Sequence, residues 1–205
     1  MNILELFSGT QSFSKIASDC DHMTYTVDVD AKSNPDLCID ILELDVKDIP
    51  FIPDLIWASP PCTEYSRAKT RDLPRDIKGA NKIVLKALEI IKELNPQFWI
   101  LENPQTGLLK DQPFMTMPYT DASYCKYGYP YRKQTRLWNN INLILKTCNK
   151  DCNSMAPGRK SHVGSAGNGR TRWNIYKKYP LKYKQSIPPL LCLSILEQIE
   201  KCFKH

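Results

Sequence analysis

The chain has 205 residues, 42% hydrophobic and 24% charged, which suits one sizeable globular core with room for a small appended module. Its net charge of +6 hides an uneven balance. Residues 1–125 hold 12 Lys/Arg against 19 Asp/Glu, residues 126–184 hold 14 against a single acid, Asp151, and residues 185–205 hold two of each. No apolar run is long enough to span a bilayer. The start, Met1 to Gly9, has no basic residues before its apolar stretch, so it reads as a strand and not a signal peptide. Eight cysteines scattered singly in a chain that needs no staples fit an intracellular, reducing compartment, cytoplasm or nucleus, and not secretion. An acidic body with a strongly basic stretch fits a polyanion partner such as nucleic acid.

In chain order, residues 2–7 alternate apolar and polar and enter Ser8-Gly9-Thr10-Gln11-Ser12, after which Phe13, Ile16 and Ala17 follow at helical spacing. Strand, glycine turn and helix form the unit whose loop amides and helix N-terminus hold a polar or anionic group. Residues 24–29 read as a second strand. It ends in two acids, Asp28 and Asp30, about 20 residues beyond the turn, where a ribose would be hydrogen-bonded. Residues 37–42, with Asp40 at their centre, predict a third strand and residues 55–58 a buried fourth. Pro60 and Pro61 stop that strand, because proline donates nothing to a ladder and biases the preceding residue towards extended backbone. The next residue, Cys62, then stands at the C-terminal edge of the sheet, as a nucleophile or as a small apolar strand-end residue.

Residues 63–79 form a long polar loop with five basic side chains, Arg67, Lys69, Arg71, Arg75 and Lys78, of the kind that serves as a lid. An apolar stripe of Ile83, Ala87, Ile90, Ile91 and Leu94 predicts a helix ended by Asn95-Pro96. Residues 98–101 read as a fifth buried strand, again closed by an acid and a stop, Glu102-Asn103-Pro104. Residues 123–127 and 137–145 read as further strands. Residues 148–174 are too polar to build a core unaided. Ile187-Pro188-Pro189 opens a final amphipathic helix with Leu191, Ile195 and Ile199 along one side. Alternating strands and helices make an α/β fold, a mostly parallel sheet covered on both faces.

Taken together, these stretches resemble the cytosine-C5 DNA methyltransferase family. Leu6-Phe7-Ser8-Gly9 looks like its cofactor-binding motif and Ser59-Pro60-Pro61-Cys62 like its nucleophile motif. Glu102-Asn103-Pro104 is similar to its Glu-Asn-Val motif except at the third residue, and Gln134-Thr135-Arg136 resembles its Gln-x-Arg motif. The resemblance covers residues 2–140 and, loosely, 185–203. It implies a Rossmann-like S-adenosylmethionine-dependent methyltransferase fold over residues 1–140, a small irregular basic target-recognition segment over 141–185, and a helix over 186–205 packing back on the catalytic part.

The resemblance further implies S-adenosylmethionine as cofactor, becoming S-adenosylhomocysteine, and double-stranded DNA as partner to a monomer with no membrane role. A restriction endonuclease partner is left open. Cys62 would add to C6 of a flipped cytosine, its pKa lowered by nearby positive charge, with Glu102 acting at N3 and Arg136 on the base carbonyl. Phe7, Ser8, Gly9, Thr10, Ser12, Asp28, Val29, Asp40 and Pro60 would surround the cofactor. Ser66, Arg67, Lys69, Arg71, Gln134, Arg170 and Arg172 would meet nucleic acid. Two rivals stand beside this expectation: methylation of tRNA cytosine, whose branch has a Cys-Phe-Thr stretch not visible here, and a catalytically silent binder that keeps the fold. The turn is poorer in glycine than the family's, with Gln11 and Ser12 in it, and a Gly-Asn-Ser-Val motif is missing near residues 186–190, leaving that stretch only cofactor-pocket packing. Cys148-x3-Cys152 and His162, with Cys125 upstream, lack the paired spacing of a zinc finger and show no evident fourth ligand. No residue is assigned to a metal, and zinc stands only as an alternative to free thiols.

Overall fold

The computed structural model describes residues 1–67, 69, 74–156, 158, 162 and 179–203. Seven strands, β1 (Asn2–Leu6), β2 (Met23–Asp28), β3 (Leu37–Cys38), β4 (Leu55–Ala58), β5 (Phe98–Pro104), β6 (Tyr119–Ser123) and β7 (Gln134–Asn139), form one sheet of order β3-β2-β1-β4-β5-β7-β6. β1 to β5 are parallel, while β7 runs antiparallel between β5 and β6. This is the Rossmann-like methyltransferase arrangement expected from the sequence. β4 is buried along its whole length, as a central parallel strand covered on both faces requires.

The pleat sends alternate residues to two cores. Ile3, Leu55, Trp57, Ile100 and Leu137 face helices α1 (Ser12–Asp19) and α4 (Pro189–Phe203), with Phe13 stacked on Trp57 at 4.5 Å. Leu4, Leu6, Ile56, Ala58, Leu101 and Trp138 face α2 (Ile77–Leu94). α2 buries Ala80, Val84, Ala87, Ile90 and Ile91, and Asn95 ends it in the left-handed conformation at φ 45. Pro189 takes the first position of α4, where its missing N–H costs nothing. A short helix α3 (Leu181–Gln185) precedes it. Among the described residues no helix is long and apolar enough to cross a membrane.

Three elements differ from expectation. β3 stops at Cys38, because the Asp40 side chain accepts from the amide of Leu42 at 2.9 Å and turns the chain. Residues 124–127 form a 3-10 turn and not a strand, burying Tyr124, Cys125 and Tyr127 before Gly128 closes it at φ 89. β7 starts at Gln134, three residues earlier than predicted, because it pairs with an extension of β5 through Glu102, Asn103 and Pro104. Residues 141–148 have no regular structure but are held to the body. Leu143 and Cys148 are buried, Lys146 O accepts from the Ser123 amide, and Gln198 of α4 accepts from the Ile144 amide.

Candidate active site

The turn after β1 is shaped by three left-handed residues, Phe7 at φ 58, Gly9 at φ 44 and Gln11 at φ 53. Two of them carry side chains, and such strained backbone concentrates at functional sites. The conformation is held from several sides. Gly9 N–H donates to Asp28 Oδ2 at 2.8 Å, and the Gln11 amide donates to the carbonyls of Ser33 and Asn34. The hydroxyls of Thr10 and Ser12 hydrogen-bond at 2.6 Å, and Ser12 Oγ accepts from the Ile187 amide at 3.1 Å. The last bond brings residues 186–190 against the turn. Gln11 starts α1 without a side-chain cap, and the buried Glu5 of β1 takes over. Its carboxylate accepts from the amides of Phe13 and Ser14, and burial pushes its pKa up to about 7.

Asp28, half-buried at the end of β2, uses one oxygen on Gly9 and the other on the amide of Asp30, which leaves lone pairs on both for a diol. This favours Asp28 over Asp30, whose carboxylate accepts from the Lys32 amide one turn further out. Beside it Val29 is 69% exposed, an apolar side chain offered to solvent. Asp40 is exposed in the turn after β3. Ser8 is buried and its hydroxyl has no partner among the described residues. A partly buried ring, an orphaned hydroxyl, a half-used carboxylate and an open apolar residue fit a nucleoside bearing an amino-acid arm.

Cys62 follows Pro60 and Pro61 at the end of β4, and the Asn103 amide donates to Pro60 O at 2.9 Å, tying the cysteine loop to β5. Cys62, Ser66, Arg67, Asn103, Pro104, Thr106 and Gly107 line a cleft of about 270 Å³. Asn103 Oδ1 is buried and has no partner among the described residues. Cys62 is exposed as a residue, yet the cleft walls around its sulfur push its pKa up by desolvation, opposed by Lys133 and reinforced by Glu102. The expected lowering is therefore not present: burial outweighs the effect of Lys133.

Glu102 is 6% exposed. Its Oε1 accepts from Tyr124 Oη at 3.1 Å and from Thr135 Oγ1. Lys133 Nζ donates to Tyr124 Oη at 3.4 Å and lies 4.6 Å from the centre of that ring. The structure thus brings Cys62 and Glu102 together but not Arg136. Arg136 pairs with Asn103 on the opposite pleat from Thr135, donates to both oxygens of Asp121 at 2.8 and 2.9 Å, and lies over the Tyr119 ring at 3.5 Å. Thr135 and Tyr124 contact Glu102, and Lys133 contacts Tyr124. Period-two alternation was the signal for Thr135: within Gln134-Thr135-Arg136 only the middle residue shares a face with the buried Leu137.

The loop after Cys62 is folded on itself where it is described. Lys69 pairs with Glu64 at 2.6 Å, and the Arg75 guanidinium donates to the carbonyls of Glu64, Ser66 and Lys69. Lys69 and Arg75 are thereby engaged within the loop instead of presented outward. Arg67 is more open, with a bond to Thr106 O and 3.5 Å from Asp111. Gln134 opens β7 opposite Ser123. Arg71, Arg170 and Arg172 lie outside the described residues. Away from this cleft, Cys125, Cys148, Cys152 and His162 come together.

The family model for C-5 cytosine-specific DNA methylases matches residues 1–113. The chain is 34% identical over 221 residues to a probable DNA (cytosine-5)-methyltransferase of Frog virus 3, covering 96% of this chain and 99% of that one. It is 23% identical over 152 residues to the type II methyltransferase M.HindV of Haemophilus influenzae, covering 66% of this chain and 47% of the relative. Among solved structures, a putative DNA modification methyltransferase encoded within an E. coli prophage superposes with a TM-score of 0.53 at 18% identity, covering 68% of this chain and 46% of that one. The chain spans about half the length of these two bacterial proteins, and nearly all of the viral one. The chain belongs to the C-5 cytosine-specific DNA methylase family.

Proposed function

We propose that the chain transfers a methyl group from S-adenosylmethionine to C5 of cytosine in double-stranded DNA, through a covalent bond between Cys62 and C6. The observation that carries this reading is the placement of Cys62 just beyond β4 and of Glu102 on the neighbouring strand β5, near enough to act on the thiol, beside a turn suited to a nucleoside. Phe7, Ser8, Gly9, Thr10, Ser12, Asp28, Val29, Asp40 and Pro60 form the cofactor side. Bound there, S-adenosylmethionine supplies an electrophilic methyl group.

The residues of the chain do the rest. Cytosine C5 is too weak a nucleophile unaided. Attack of the Cys62 thiolate forms an S–C6 bond and moves the C5–C6 electron pair to C5, which then takes the methyl group. Glu102 donates its proton to N3 as charge develops there and accepts from the 4-amino group. Thr135 and Tyr124 both hold Oε1, so the second carboxyl oxygen is the one turned to the base. Loss of the C5 proton and expulsion of Cys62 restore the ring. Burial and the neighbouring Glu102 both oppose ionisation of Cys62, and Lys133 favours it. A stacked base cannot reach Cys62, so the target is flipped out at a cost of a few kcal/mol. The excess of Lys and Arg in residues 126–184 meets phosphates.

The test is transfer of labelled methyl groups to unmethylated duplex DNA and, in parallel, to tRNA. Transfer to DNA is expected, with Cys62→Ala reducing it by more than about 10³-fold. DNA carrying 5-fluorocytosine, which has no removable C5 proton, is expected to trap a covalent adduct at Cys62. Transfer to tRNA alone would move the substrate to RNA, and activity retained in Cys62→Ala would remove the covalent step.

A further inference from the structure

We propose that Cys125, Cys148, Cys152 and His162 form a closed structural zinc site that fastens the start of the basic segment to the catalytic body. Their ligand atoms all lie within 4.8 Å of one another, and Cys148 Sγ is 3.4 Å from His162 Nε2. Zinc bonds of about 2.3 Å to sulfur and about 2.0 Å to nitrogen set tetrahedral edges of about 3.5–3.8 Å, so the ion enters with small side-chain movements. Three sulfurs and one imidazole in a tetrahedral set select zinc over the oxygen-seeking or square-planar metals. All four positions are protein ligands, which leaves none open for chemistry.

The surroundings hold the ligands in place. Lys150 adopts φ 66 between Cys148 and Cys152. The Cys148 amide is fixed on Ser123 Oγ at 3.0 Å, and Lys126, next to Cys125, pairs with Asp151 at 2.6 Å. Met155 and His162 form an antiparallel bridge that carries the histidine back to the cysteines. All three cysteines are free thiols.

The four ligands come from two places. Cys125 belongs to the 3-10 turn after β6, whose chain continues to Lys133 and Thr135 beside Glu102. Cys148, Cys152 and His162 belong to a stretch with few apolar residues, which cannot hold itself in place by burial. A metal crosslink between them sets the basic segment relative to the cleft. This inference does not rest on methyl transfer.

The test uses the full chain purified without chelator. One zinc per chain is expected by elemental mass spectrometry. Replacement by cobalt(II) is expected to give thiolate charge-transfer bands and the intense visible bands of a tetrahedral site. Cys152→Ser and His162→Ala, at the two half-buried positions, are expected to weaken zinc by more than about a hundredfold, beyond the range seen for outer-shell partners. Cleavage between residues 148 and 162 by a protease is expected to speed up with chelator and to slow again with added zinc. A folded wild-type chain that is zinc-free and gives no tetrahedral cobalt spectrum overturns the proposal, as does a spectrum unchanged in both variants.

Discussion

The part of the chain up to residue 104 and the part beyond it place polar groups by different means. In the first, backbone does it. Left-handed Phe7, Gly9 and Gln11 shape the cofactor turn, and Pro60 and Pro61 stop β4 under Cys62. In the second, side chains hold other side chains. Thr135 and Tyr124 grip Glu102, Asp121 grips Arg136, and three cysteines converge with a histidine. Backbone devices are local in sequence and are written as short motifs. Side-chain devices join positions tens of residues apart, and each partner looks ordinary on its own strand.

The largest effect that sharpens this contrast is at the junction of the two parts. Glu102→Gln keeps the shape but cannot deliver a proton to N3, and methyl transfer is expected to fall by about 10²–10⁴-fold. Thr135→Val removes one donor to the same carboxyl and is expected to cost about tenfold, the worth of one hydrogen bond to a charged group. Arg136→Met, which breaks only the outer pair with Asp121, is expected to change single-turnover rate on a bound substrate less than Thr135→Val. The reverse ranking would return Arg136 to the base-binding role its motif implies.

That ranking also marks how far the sequence could be read. Strand, turn and strand-end residues of β1, β2, β4 and β5 were legible because apolar runs and Gly or Pro stops report backbone directly. The positions of Cys62, Glu102 and Asp28 along these strands were therefore legible. For Arg136 a motif gives the residue type and not the pleat on which it lies; one step along β7 exchanges Thr135 for Arg136. The basic side chains of the loop after Cys62 read as phosphate ligands because sequence shows charge and not partner, and Glu64 and three carbonyls engage Lys69 and Arg75. Cys125 was named beside Cys148, Cys152 and His162, but its spacing did not mark it as the fourth member of the set, since all of β7 lies between.

Glu5 tests whether the first part depends on side chains after all. Its pKa is raised from 4.5 to about 7 by burial. Below pH 4.5 it is protonated whether the chain is folded or not, and contributes no pH dependence. Between pH 4.5 and 7 the unfolded chain ionises it more readily than the folded chain, so stability falls as pH rises. Above pH 7 the loss levels off at about 3 kcal/mol, from roughly 2.5 pH units at 1.36 kcal/mol each. Glu5→Gln abolishes this component, so relative to wild type the variant is expected to gain about that much between pH 4.5 and 8, measured by urea unfolding. A difference independent of pH would mean that the amides of Phe13 and Ser14 hold the carboxylate ionised in the folded chain as readily as water does in the unfolded one.

The smallest effect concerns how the second part reaches into the first. Lys133, on the approach to β7, is the cation that opposes the raised pKa of Cys62. Only the thiolate is nucleophilic, so alkylation of Cys62 is expected to climb about tenfold per pH unit until its pKa is passed. Lys133→Met removes the opposing charge and moves that limb to higher pH by less than about one unit, hence by under about tenfold in rate at neutral pH. Well above both pKa values the two proteins are expected to react alike, because the charge alters how much thiolate exists more than how fast it reacts. Lys133→Arg keeps the charge while changing the contacts to Tyr124 and Lys184, and is expected to leave the limb near its wild-type position. Site-resolved mass spectrometry of the iodoacetamide product at Cys62 separates it from the other seven cysteines. A limb shifted equally by Met and Arg would assign Lys133 to packing against Tyr124 instead of tuning the sulfur.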